Sequence, residues 1–329
     1  MFSCETPDDW YRLARTLGLL PCQHTAAYGF GASFRQLKRC LCRPAQDSAA
    51  SFNHWLHGSY QNAESIVLTY DTGSGSGTVP WTGAIARIDP PLFLGLNVAE
   101  QTFFDDLFGS NDIQIGFWDF DRKLKIHGAD PARIIQLLSP SDSEGQTILS
   151  YVVSLMKKRD VRLTDSLVAV SVEGTSVDPQ VVTELLQSAI WLARGLARRR
   201  ARIAETPGEA YQRSQWGQFA QANRLDFDPA RMKLSGNQQN TGIEIALDTD
   251  GERFCTAVTS RFPQPVGVAF TVVRSHLPGF LHGLSQDIQV GEPEFDQMFK
   301  VTGYPVDRVQ ATLARPRLLD ALKFVGSRT

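Results

Sequence analysis

The sequence has no apolar run near the roughly 18–20 residues that a membrane helix needs; PPLFLGLNVA, residues 90–99, is among the longest. A membrane span is therefore not expected. Its opening, MFSCETPDDW, has no basic segment leading into an apolar one, so no secretory leader is expected. Cysteine is scarce. The five (Cys4, Cys22, Cys40, Cys42 and Cys255) are an odd number without the spacing of a disulfide framework, which points to a reducing, cytoplasmic setting. An excess of either charge is also missing: 33 Lys and Arg face 35 Asp and Glu, for a net charge of −2. No global basic field is available, so nucleic acid is an unlikely partner. Walker A, G-x-S-x-G and HExxH motifs are absent, and GFGASF at 29–34 lacks the third glycine of a dinucleotide fingerprint.

What is present is ample material for a core. Hydrophobic residues make up 42% of 329, enough for about two domains. The organising feature is internal similarity. DIQIGFWDFD at 112–121 returns as DIQVGEPEFD at 287–296, and the constant spacing of 175 holds for ten identities over positions 112–138. Chance at about 6% per position predicts roughly two. Trp10 and Ala14 recur as Trp216 and Ala220, with Leu13 replaced by Phe219. Leu56, Gly58, Gln61 and Asn62 recur as Leu234, Gly236, Gln239 and Asn240.

These patterns predict an α+β protein: two tandem copies of one module, each an antiparallel sheet with helices on one face, joined by a long helix. The first module spans 1–140, with an insertion at about 21–55 that the second lacks. A connector at 141–205 holds a helix, a hairpin turning near Thr164-Asp165, and a long helix over about 179–204 that starts at Asp178-Pro179. The second module spans 212–329.

Four groups of residues could carry chemistry. The acids of the repeated motif (Asp112, Asp119 and Asp121 with Asp105 and Asp106; Asp287, Glu292, Glu294 and Asp296) have the oxygens a calcium ion takes, but not EF-hand spacing, and read first as turn acceptors. Cys22, His24, Cys40 and Cys42 form a four-ligand set for a structural zinc, with one-residue spacers shorter than the usual two to four. No other cofactor is implied. VLTYDTGS and IALDTDG resemble the paired Asp-Thr-Gly motifs of pepsin-like aspartic proteases. That resemblance implies a hydrolase with Asp71 and Asp248 sharing one proton. It covers about eight residues in each half, and Asp250 stands where the second glycine belongs.

Finally, RGLARRRAR at 194–202 sets Arg194, Arg198 and Arg202 on one helical stripe, widened by Arg199 and Arg200. This is a candidate contact for an acidic protein, anionic lipid or nucleic acid. No catalytic signature stands out. The leading expectation is a non-enzymatic adaptor or scaffold that binds another protein. No oligomeric state is implied.

Overall fold

A computed structural model describes residues 7–22, 51–72, 78–100, 112–238, 241–249, 254–261, 269–274 and 288–326. The chain divides into two compact units, one of residues 1–238 with 243–260, the other of 239–242 with 261–329. Helices and antiparallel sheets are both present: every strand pair whose register is described is antiparallel. No helix among the described residues is long and apolar enough to cross a membrane.

The first unit opens with α1 (Pro7–Leu17). Trp10, Leu13, Ala14 and Leu17 are buried along one stripe of it. Gly18 then turns the chain at φ 67°, and the Leu19 N–H donates to the Ala14 carbonyl at 2.9 Å. Strands β1 (Leu20–Cys22), β2 (Ser51–Tyr60), β3 (Ala63–Thr72) and β4 (Val79–Arg87) form a meander. Strand β5 (Asn97–Glu100) follows, then α2 (Trp118–Asp121), β6 (Leu124–His127), α3 (Pro131–Leu138), α4 (Ser143–Leu155), β7 (Asp160–Thr164), β8 (Leu167–Glu173) and α5 (Pro179–Arg200).

The eight strands make one sheet in the order β1-β2-β3-β4-β8-β7-β5-β6. The segment 141–205, read from sequence as a connector, is thus woven into this sheet, with β8 pairing against β4 and β7 against β5. Helix α5 packs on β3, β4 and β8. The expectation of one covered face is too simple here. Ile66, Leu68 and Tyr70 alternate along β3 with Ser65, Val67 and Thr69, and all six are buried, so this strand is covered on both faces.

The Asp165 carboxylate, at the β7–β8 turn, is 1% exposed. It accepts N–H bonds from Leu94 (3.0 Å), Gly95 (2.7 Å) and Leu96 (2.9 Å), clamping the approach to β5 onto the hairpin.

The first unit also holds α6 (Pro207–Asn223) and a four-stranded sheet, β12-β11-β10-β9, of β9 (Asp226–Asp228), β10 (Lys233–Gln238), β11 (Thr241–Thr249) and β12 (Phe254–Arg261). Its start has local geometry like that of the chain's opening. Arg224 turns the chain at φ 54°, and the Leu225 N–H donates to the Ala220 carbonyl at 2.9 Å. Asp226 opposes Ser235 as Leu20 opposes His57. A Cβ on Gly58 would sit 3.1 Å from the Leu19 side chain, and one on Gly236 would sit 2.6 Å from that of Leu225. At either glycine a Cβ would require the facing leucine side chain to shift.

The second unit pairs β13 (Ala269–Arg274) with β14 (Phe299–Tyr304) and carries α7 (Pro293–Met298), α8 (Val306–Leu313) and α9 (Pro316–Gly326). Its core gathers Ile288, Phe295, Phe299, Val301, Val309 and Leu313. The turn before α7 matches the turn before α2. Gly116 and Gly291 stand at φ 79° and 86°. The Asp121 carboxylate accepts from Ile115 and Gly116 N–H at 3.1 and 2.9 Å, and Asp296 accepts from Val290 and Gly291 at 2.9 Å each. Ile113 N–H donates to the Ile126 carbonyl, and Ile288 N–H to that of Val301. Phe120 and Phe295 are both fully buried.

Candidate interaction surfaces

The five arginines of α5 do not share one environment. Arg194, Arg198 and Arg202 are exposed, Arg200 is half-buried and Arg199 is 6% exposed. Arg199 donates to the carbonyls of Leu137 (2.5 Å) and Ser139 (3.0 Å) at the C-terminal end of α3, and to the Asp142 carboxylate (2.5 Å). It closes carbonyls that the helix leaves open. Arg200 reaches the Leu92 carbonyl (2.7 Å), the Ile203 carbonyl (3.2 Å) and Glu209 (3.0 Å). Arg198 and Arg202 both pair with Glu144, at 3.1 and 2.8 Å. Arg194 donates to the Gln61 carbonyl.

Arg194 and Arg198 line a polar cleft of about 570 Å³. The other walls come from the β2–β3 turn, the end of β4 and the β9–β10 turn, which bring Glu64, Arg87, Asp89, Asp228, Arg231 and Lys233 to it. Sequence reasoning missed Arg87, Arg231 and Lys233, because they are distant along the chain and carry no motif. The charges are largely matched internally. Arg87 pairs with Glu64 at 2.9 Å, and Lys233 with Glu244 at 2.7 Å. Arg231 grips Asp89 with two bonds of 2.7 and 2.6 Å and Asp228 with a third of 2.6 Å. Partial burial pushes the Asp228 carboxyl up, but the Arg231 side-chain bond and charge and the backbone N–H groups of Arg231 and Ala230 together outweigh it and hold the group below the usual carboxylate range. Such a cleft can exchange its internal pairs for an acidic group.

Glu209 ties three helices together. It accepts from Arg133 at 2.7 Å, from Arg200 at 3.0 Å and from the Thr206 N–H at 2.9 Å, while Thr206 caps the Glu209 N–H. This is the capping box of α6. Burial alone would raise the Glu209 carboxyl; the Arg133 and Thr206 bonds and the two guanidinium charges more than cancel it, so the group ionises below its ordinary range. A depressed carboxylate contributes stability that is present above its unfolded value, about 4.3, and is lost as pH falls through the folded value. Thermal melts from pH 7 to pH 3 are expected to show a steep acid loss. Glu209→Gln is expected to be less stable at neutral pH and to lose less on acidification. An unchanged acid slope in that variant would refute the role.

The remaining sequence candidates fall as follows. Asp71 is half-buried near the end of β3, opposite Ser51 and Pro80 in the eight-stranded sheet. Asp248 lies near the end of β11 in the four-stranded sheet, and its side chain is outside the described residues. His24, Cys40 and Cys42 also lie outside them, as does the Cys22 side chain. Among the described residues, no three His, Cys, Asp or Glu side chains are gathered to hold a metal ion. In the repeated motif, Asp112 accepts from the Ile126 N–H at 2.8 Å, and burial raises its carboxyl in spite of that bond. Glu292 accepts from the Phe295 N–H and pairs with Lys323 at 2.9 Å. Asp105, Asp106 and Asp287 are outside the described residues.

The two sheet-and-helix openings of the first unit differ in what covers them. Leu13, just before the buried Ala14 of α1, is 1% exposed, whereas Phe219, just before the buried Ala220 of α6, is 48% exposed. Tyr211, two turns earlier on α6, is exposed as well. Strand β4 is bordered by β8, whereas β12 ends its sheet among the described residues.

The chain matches no known protein-family model, no curated protein and no solved structure.

Proposed function

We propose that the protein is a non-enzymatic adaptor or scaffold, built from one α+β module present twice, that binds another protein. The duplication is supported by the constant sequence spacing together with the paired turn geometry at Gly116 and Gly291, and the paired helix-to-strand geometry at Leu19 and Leu225. One observation carries the interaction reading: surfaces buried in the first copy are open in the second, with Phe219 exposed where Leu13 is covered. Exposed aromatic residues in a group are a mark of association sites. The scarce, unframed cysteines favour a reducing compartment such as the cytoplasm.

The hydrolase alternative has less support, since Asp71 and Asp248 belong to strands of different sheets. The arginine alternative is also weaker than the sequence suggests, because Arg199 is consumed inside the fold.

The test is affinity capture of cross-linked full-length protein from its native cell, comparing wild type with Tyr211→Ser/Phe219→Ser. A stoichiometric protein partner is expected with wild type and a loss of at least about tenfold with the variant, whose melting temperature stays near wild type. Equal capture by the two chains, or hydrolytic activity abolished by both Asp71→Asn and Asp248→Asn, would overturn the reading.

A further inference from the structure

We infer that the outer edge of β12 pairs with the same edge of a second copy of this chain, joining two four-stranded sheets into one across a two-fold axis. The inference rests on the open-module reading above and names one partner for it.

The first sheet shows what such an edge takes. β4, the fourth strand of its meander, is bordered by β8 in an antiparallel register running from Trp81↔Glu173 to Arg87↔Leu167. The covering strand is uncharged from Leu167 to Val172 and carries three valines. β12 is the fourth strand of the second meander, and among the described residues no strand borders its outer side. Phe254 and Val258 on it are exposed, the latter by 65%.

The strand also lacks what keeps edges apart. Natural edges are short or carry charge or proline. The edge strands β1, β6 and β9 conform: β1 is three residues with Pro21, β6 has Lys125 and β9 has Asp226 and Asp228. β12 reads FCTAVTS from 254 to 260, with no charge and no proline before Arg261. Thr256, Val258 and Thr259 favour extended pairing. The strand therefore has the chemistry of β8, the occupant of the equivalent edge. A two-fold axis perpendicular to the sheet makes two copies of one strand antiparallel, as β4 and β8 are.

The test is sedimentation equilibrium of the full-length chain across the micromolar range. Wild type is expected to pass from monomer to dimer. Val258→Lys and Val258→Glu each place like charges across the axis and are expected to raise the dimer Kd at least about tenfold, with circular dichroism and melting temperature unchanged. An equimolar mixture of the two is expected to restore the dimer, since opposite charges then face each other. A wild-type monomer at every concentration would overturn the inference, leaving the proposed function to its own capture experiment. So would a dimer that neither variant weakens, or variants that the mixture fails to rescue.

Discussion

Replacing Asp165 by alanine is expected to destabilise the first unit by about 3–5 kcal/mol, because three buried N–H groups lose their only shared acceptor. The carboxylate is 1% exposed and holds Leu94, Gly95 and Leu96 at bonding distance. Water cannot readily replace it at that depth. For a unit of this size the loss corresponds to roughly 10 °C in melting temperature. Asp165→Asn is not expected to rescue, since its amide nitrogen would turn hydrogens towards donors. Hydrogen exchange at residues 94–96 should rise in both variants. A change below about 1 kcal/mol would show that the clamp is dispensable.

The second large effect concerns Arg199. Arg199→Ala is expected to cost about 2–4 kcal/mol, because the Leu137 and Ser139 carbonyls lose a charged donor at a buried position. The guanidinium is held by the Leu137 and Ser139 carbonyls and by Asp142, so its loss orphans the end of α3 and the start of α4 together. Its surroundings leave no slack: a Cβ on Gly145 would lie 2.0 Å from the Ser139 carbonyl oxygen and 2.9 Å from Arg199 Nη1. Arg199→Lys is not expected to restore stability, because an ammonium lacks the planar fork that serves partners in several directions. Arg194→Ala and Arg198→Ala, both at exposed positions, are expected to stay within about 0.5 kcal/mol of wild type. Equal melting temperatures for all three alanine variants would contradict this division of the arginines.

That division shows where sequence reading works and where it stops. The α5 start was legible in Asp178-Pro179, and its core stripe in Val182, Leu185, Ala189, Leu192 and Leu196. The same stripe continues to position 199, so periodicity already placed Arg199 on the buried side. Reading charge before period sent it to the surface. The Thr164-Asp165 turn was also legible, but its role was not: the three N–H groups that Asp165 accepts come from about 70 residues earlier. Strand order was hidden for the same reason. Nothing local marks β7 and β8 for insertion between β4 and β5, because that pairing joins segments whose separation only the folded sheet reveals.

The turn motifs were the most legible feature, since their causes are local. Gly116 and Gly291 occupy left-handed backbone, and an acid five residues on accepts the turn's N–H groups at both places. The polar cleft was the least legible. Arg231 finds Asp89 across 142 positions of sequence, and neither residue stands out in a linear reading.

The proposed duplication, with one copy closed and the other open, is tested by amide hydrogen exchange of strands β4 and β12, measured in dilute protein. The outward amides of β12 are expected to exchange at least about a hundredfold faster than those of β4, and to gain protection as concentration or a captured partner covers them. Protection of β12 equal to that of β4 in the dilute monomer would contradict the account.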